Sequence, residues 1–154
     1  MPIRWKLFRV ICIFQMLASS VLGIMAVIAL FRSVNFYMFI VVFLFVLIFL
    51  LTILAINILN NNYPDVPVSG KQKKNFNRLY LLNFIFLIFL FGIIFAEYKF
   101  LRDLATLTGK SILELPLNLF ISLFGNVVVL IFQFIIFSGL YNLRRELYVN
   151  FTKK

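Results

Sequence analysis

Uncharged polar residues are the side chains of this sequence best placed to do chemistry, because they recur inside long apolar stretches. Asn118, Ser122 and Asn126 follow one another at intervals of four, and Gln133 comes seven residues later. At 3.6 residues per turn, these four positions share one face of a helix. Amides and hydroxyls on one helix face can hydrogen-bond to neighbouring helices or line a polar pocket. The pattern therefore predicts an inward or partner-facing stripe.

A second stripe lies near the N-terminus, where Gln15, Ser19, Gly23 and Ala26 recur at similar spacing. Small residues on such a face allow helix backbones to approach closely. Helix packing is the default interpretation of both stripes, with each interhelical hydrogen bond contributing about 0.6 kcal/mol. The alternative is a polar pocket for a small ligand, a lipid head group or a partner's helix, to which Asn57 and Asn83 could contribute.

The residues that usually carry catalysis and metal binding are scarce. The sequence has no histidine and a single cysteine, Cys12, so an internal disulfide and histidine chemistry are excluded. No predicted span has a charged residue near its centre, where ion-coupled transporters place one. Glu97, at the end of the third span, is the closest candidate, and its neighbours Lys99, Arg102 and Asp103 predict an interfacial cluster of ion pairs rather than a proton-coupling site. We therefore expect a protein that is not an enzyme, with no catalytic residue, no cofactor and no metal site.

Composition predicts the medium in which the chain folds. Hydrophobic residues make up 64% of its 154 residues, against about 45–50% in soluble domains. A chain of this length cannot hide that much apolar surface from water. The sequence therefore predicts an integral membrane protein.

Uncharged apolar runs predict four membrane-spanning helices in one domain, residues 1–154. The spans fall at approximately residues 10–31, 36–59, 79–96 and 116–142, and each is long enough to cross a hydrocarbon core of about 30 Å. Residues 60–78 form a linker with Pro64 and Pro67, and residues 97–115 form a second loop. In that loop the spacing of Phe100, Leu101, Leu104 and Leu107 suggests a short amphipathic helix. The predicted fold is an all-α bundle of four antiparallel transmembrane helices.

Basic residues predict the orientation of the bundle. The net charge is +10, and the positive charges cluster beside the apolar runs, which favours contacts with lipid head groups over nucleic acid. Eleven share one predicted side, against four on the other, which predicts cytoplasmic N- and C-termini. Lipid contact and orientation are assigned above all to Lys71, Lys73, Lys74, Arg78, Arg144 and Arg145.

The abundance of Phe, Ile, Leu, Asn and Lys fits an AT-rich bacterial genome and a multi-pass protein of the cytoplasmic (inner) membrane. Our leading hypothesis is a non-catalytic accessory or scaffold subunit of a larger complex. Its partners would be membrane lipids and the helices of other integral membrane subunits, with a homo-oligomer left open. The alternatives are an immunity protein against a pore-forming toxin and a transporter of small solutes or lipids.

Overall fold

A computed structural model describes residues 2–32, 36–64 and 66–152, without the side chains of residues 118 and 148–152. Its described part is helical, with connecting turns and no strand. A short 3₁₀ turn, Ile112–Glu114, lies between the last two helices. The four long helices are α1 (Ile3–Arg32), α2 (Phe36–Asn61), α3 (Gly70–Thr108) and α4 (Leu117–Thr152).

Each helix is long and apolar enough to cross a membrane. The shortest, α2, has 26 residues and a length of about 39 Å, which exceeds a hydrocarbon core of about 30 Å. Most side chains that face away from the bundle are large and hydrophobic. The predicted all-helical fold is confirmed, and four helices of this length and composition indicate a multi-pass membrane protein.

Helix α3 differs from the sequence prediction because it continues through both flanking charged segments. It begins after Ser69, whose side chain caps the backbone N–H of Gln72, and it ends at Gly109, whose φ of 65° is left-handed and suits glycine. The prediction of a separate amphipathic helix in the 97–115 loop is wrong, because the residues of that predicted helix are part of α3. Leu101 and Ala105 bury this extension against Leu115. The basic run of the predicted 60–78 linker is likewise helical.

Contacts between helices define the bundle and its two ends. Helix α1 packs against α2 and α4, and α3 packs against the same two helices. Residues pair in opposite order along α1 and α4: Trp5 contacts Glu146, whereas Gln15 contacts Gln133. The end with Trp5, Glu146 and the α2–α3 connection is called the termini end. The opposite end, with Glu97, is called the hairpin end.

The Phe8 ring of α1 lies directly against the backbone of Gly139 in α4. A Cβ atom at Gly139 would lie 2.1 Å from Cε2 of the Phe8 ring, which is far inside van der Waals contact. Phe8 is buried and packs edge-on against Trp5. Glycine at this position therefore sets the distance between α1 and α4 at the termini end.

Candidate functional site

Three buried amides connect all four helices in the middle of the bundle. Gln15 Nε2 of α1 donates to Gln133 Oε1 of α4 at 2.9 Å, and Gln133 Nε2 donates to Asn83 Oδ1 of α3 at 3.1 Å. Asn83 Nδ2 then donates to the carbonyl oxygen of Leu47 in α2 at 3.0 Å. All three side chains are at most 1% exposed. We call Gln15, Gln133 and Asn83 the amide chain.

Backbone carbonyls fix the direction of the amide chain. Asn83 Nδ2 donates to Leu79 O as well as to Leu47 O, so Asn83 Oδ1 must accept from Gln133. Gln15 Nε2 also donates to Val129 O at 3.0 Å, so its amide nitrogen faces α4. These assignments leave Gln15 Oε1 buried and without a partner among the described residues. The amide chain thus lacks one hydrogen bond, and this is at its α1 end.

Of the remaining members of the α1 stripe, Ser19 and Ala26 are buried and Gly23 is half-buried. Ser19 is buried, and its Oγ donates to the carbonyl oxygen of Gln15 at 2.7 Å. Gly23 faces α2, where an added Cβ would lie 3.4 Å from Phe45 Cβ. Ser19 thus hydrogen-bonds within α1 itself, and Gly23 packs against α2.

Members of the α4 stripe have two different sets of partners: Gln133 belongs to the amide chain, whereas Ser122 and Asn126 bond to the carboxylate of Glu97. Ser122 Oγ donates to Glu97 Oε1 at 2.7 Å, and Asn126 Nδ2 lies 3.2 and 3.1 Å from Glu97 Oε1 and Oε2. The backbone of Asn118 lies in α4, but its side chain is outside the described part of the structure. Ser122 and Asn126 thus form a site with Glu97, and both lie about two turns or more from Gln133 along α4.

The predicted ion-pair cluster around Glu97 is wrong. No Lys or Arg in the described ranges forms an ion pair with this carboxylate, and Lys99 and Arg102 are exposed. On a helix, Lys99 is rotated by about 200° from Glu97 and Arg102 by about 140°. Both basic side chains therefore point away from α4, towards which the carboxylate is turned.

A cavity of about 210 Å³ lies beside Glu97 at the hairpin end. All four helices contribute to its wall, and its polar lining comes from Glu97, Ser122, Asn126 and Tyr37. Its apolar lining includes Leu22, Met25, Ala26, Val41, Phe45 and Ile93. The cavity thus combines one carboxylate with predominantly apolar walls.

Three of the predicted lipid-contacting residues meet at the termini end. Lys73, Arg144 and Arg145 line a cavity of about 490 Å³, together with Pro67 and Tyr141. Arg144 Nη1 donates to Asn77 Oδ1 at 3.2 Å, and its guanidinium lies 5.7 Å from the centre of the Phe76 ring. By contrast, the exposed side chains of Lys71, Lys74 and Arg78 are not part of its described lining.

Two apolar grooves flank α1 on the outside of the bundle. The α1–α4 groove has a volume of about 780 Å³, and the α1–α2 groove has about 450 Å³. The α1–α4 groove is lined by Phe14, Leu17, Ala18, Val21, Leu22, Met25, Leu117, Phe120, Ile121, Phe124, Gly125, Val128 and Phe132. Its lining spans residues 117–132 of α4, which is a length of about 22 Å.

Glu146 is a structural residue that the sequence interpretation missed. Its Oε2 accepts from Trp5 Nε1 at 3.2 Å, and its Oε1 pairs with Arg4. The available signal was its isolation, since it is the only acidic residue near the basic tail. Glu146 therefore connects the beginning of α1 to α4 at the termini end.

Comparison with known proteins identifies no relative. No protein-family model, curated protein or solved structure matches the chain. Function is therefore inferred from the geometry of the chain itself.

Proposed function

We propose that this protein is a non-catalytic accessory subunit of a bacterial inner-membrane complex. In this proposal, the α1–α4 groove receives a transmembrane helix of a partner subunit. The groove is the observation that carries the proposal, because it is long, apolar and open on the outside of the bundle. Its length of about 22 Å covers about four turns of a partner helix. Small residues, Ala18 and Gly125, line it and allow close approach.

The proposed binding surface differs from the two polar stripes of the sequence prediction. Gln15, Asn126 and Gln133 are buried, and each hydrogen-bonds within the bundle. A partner helix could reach them only by opening the bundle and breaking those bonds. The groove needs no such opening, since Val21 and Phe124 are already 57% and 71% exposed.

The proposal includes the orientation of the bundle. The opposite order of contacts along neighbouring helices supports an antiparallel arrangement, and the concentration of Lys and Arg at the termini end supports a cytoplasmic location for both termini. Lys73, Arg144 and Arg145 would then lie where anionic head groups of the cytoplasmic leaflet are found. We assign their cavity to such a head group.

Extraction of a C-terminally tagged chain from its native membrane in mild detergent tests the subunit proposal. We expect stoichiometric co-elution of a larger membrane protein, detected by native mass measurement. Val21→Trp fills the groove and should reduce that co-elution by about tenfold or more. Ile88→Trp is the matched control, because Ile88 is 67% exposed on α3, outside both grooves. It should retain the partner.

Two results would contradict the proposal. The wild-type chain could elute alone, as a monomer or a homo-oligomer, which would remove the evidence for a complex. Alternatively, Val21→Trp could retain the partner as well as Ile88→Trp does, which would exclude the groove as the contact surface.

A further inference from the structure

Glu97 carries a negative charge that the bundle solvates but does not neutralise. Its hydrogen-bond donors are the hydroxyl of Ser122 and the amide of Asn126, both of which are neutral. Within the described part of the chain, no cationic side chain pairs with it. Neutral donors stabilise a carboxylate, but they leave its charge available to a cation that enters the adjoining cavity.

The walls of the cavity restrict which cation would fit. Tyr37 and Phe45 provide aromatic rings, and the remaining walls are mostly aliphatic. Aromatic rings attract organic cations, and aliphatic walls favour an apolar body attached to the charged group. Ca²⁺ instead requires six to eight oxygen ligands, and Mg²⁺ requires a near-octahedral set. One carboxylate among apolar walls suits neither metal.

We infer that the cavity beside Glu97 is a binding site for a small organic ammonium ion, with Glu97 as its counter-charge. The ammonium group would lie against the Glu97 carboxylate, and the hydrocarbon part would lie against the walls from α1 and α2. The volume of about 210 Å³ is below the range of about 300–1,000 Å³ for drug-sized ligands, so the ligand is small. The cavity shares Leu22 and Met25 with the wall of the α1–α4 groove, but the inference does not rest on the proposed partner helix.

Calorimetric titration of the full chain in lipid nanodiscs tests the site, with empty nanodiscs to correct for partition into lipid. The probes are phenethylammonium and 2-phenylethanol, which share a ring and a two-carbon chain and differ in charge. We expect the wild-type protein to bind the ammonium ion about tenfold or more tightly than the alcohol. Glu97→Gln should lower this preference to about twofold or less, because it removes the charge but preserves the size of the side chain.

Asp103→Asn is the matched control, because it removes an exposed carboxylate from the same helix outside the described lining of the cavity. This variant should keep the wild-type preference for phenethylammonium over 2-phenylethanol. Val41→Phe is a second test, which fills the cavity without altering Glu97, Ser122 or Asn126. It should abolish binding of the ammonium ion, and it decides the question if Glu97→Gln does not fold.

The inference would be overturned by any of three results. One is the absence of saturable ammonium binding to the wild-type protein up to about 10 mM. Another is equal affinity for the alcohol and the ammonium ion. The third is unchanged ammonium binding by folded Glu97→Gln or Val41→Phe.

Discussion

At the scale of single residues, spacing predicted which face a polar side chain occupies but not what it contacts. The intervals among Ser122, Asn126 and Gln133 placed them on one face of α4, yet Gln133 bonds to α1 and α3 whereas Asn126 bonds to Glu97. The hydrogen-bond partner of a side chain depends on how neighbouring helices are shifted relative to one another along the bundle axis. Periodicity within one helix carries no information about that shift. The error at Glu97 has the same origin, since neighbours in sequence point to different sides of a helix.

The position of Gln133 in the amide chain predicts unequal costs of removing its members. Gln133→Leu leaves Asn83 Oδ1 without its donor and removes a bond from Gln15, which already has an unpaired oxygen. We expect it to lower the free energy of unfolding by about 1–2 kcal/mol. Gln15→Leu should lower it less. It leaves Gln133 Oε1 without a donor, but it also removes the unpaired Gln15 Oε1, so the number of unpaired buried oxygens does not rise. Unfolding in mixed micelles, followed by Trp5 fluorescence, would show equal costs if the amide chain were not formed.

At the scale of elements, charge marked where a helix leaves the apolar layer but not where the helix ends. The sequence interpretation placed the third span at residues 79–96, whereas α3 extends from Gly70 to Thr108. Charged side chains are compatible with a helix in water or at an interface, so helix ends must be read from capping residues. Ser69 and Gly109 provided that signal.

Glycine positions give a prediction about how helices pack. Gly139→Ala should destabilise the protein by about 1–3 kcal/mol, because its Cβ would overlap the buried Phe8 ring and force α1 away from α4. Gly92→Ala is the control, since its Cβ would have no described atom of another element within 4 Å. It should be neutral or stabilising, by up to about 1 kcal/mol, because alanine favours a helix. Similar losses for the two variants in the same unfolding assay would contradict this packing.

At the scale of the whole molecule, composition and apolar runs were enough to predict four helices long and apolar enough to span a membrane. The packing of α1 against α4 was not predictable, because nothing in the α1 or α4 sequence specifies the neighbour across the bundle. The grooves and the cavity beside Glu97 arise only from that assembly. Their existence depends on where the helices diverge, which is a property of the packed bundle.

The proposed orientation can be measured by cysteine labelling. Cys12 is fully buried, so the native protein should give little background with a maleimide that does not cross membranes. Leu113→Cys adds a thiol at a 91% exposed position near the hairpin end and should be labelled in intact cells. Lys74→Cys, exposed near the termini end, should be labelled only after permeabilisation. The reverse pattern would place both termini outside the cytoplasm.

The central claim is that a partner helix occupies the α1–α4 groove, and site-specific photo-crosslinking in the native membrane tests it most directly. A benzophenone side chain replaces Phe124, which lines the groove, or Phe91, which is 64% exposed on α3 outside the described lining of both grooves. We predict a discrete protein adduct from position 124, identified by mass spectrometry, and none from position 91. Adducts with lipid alone at both positions would contradict the account.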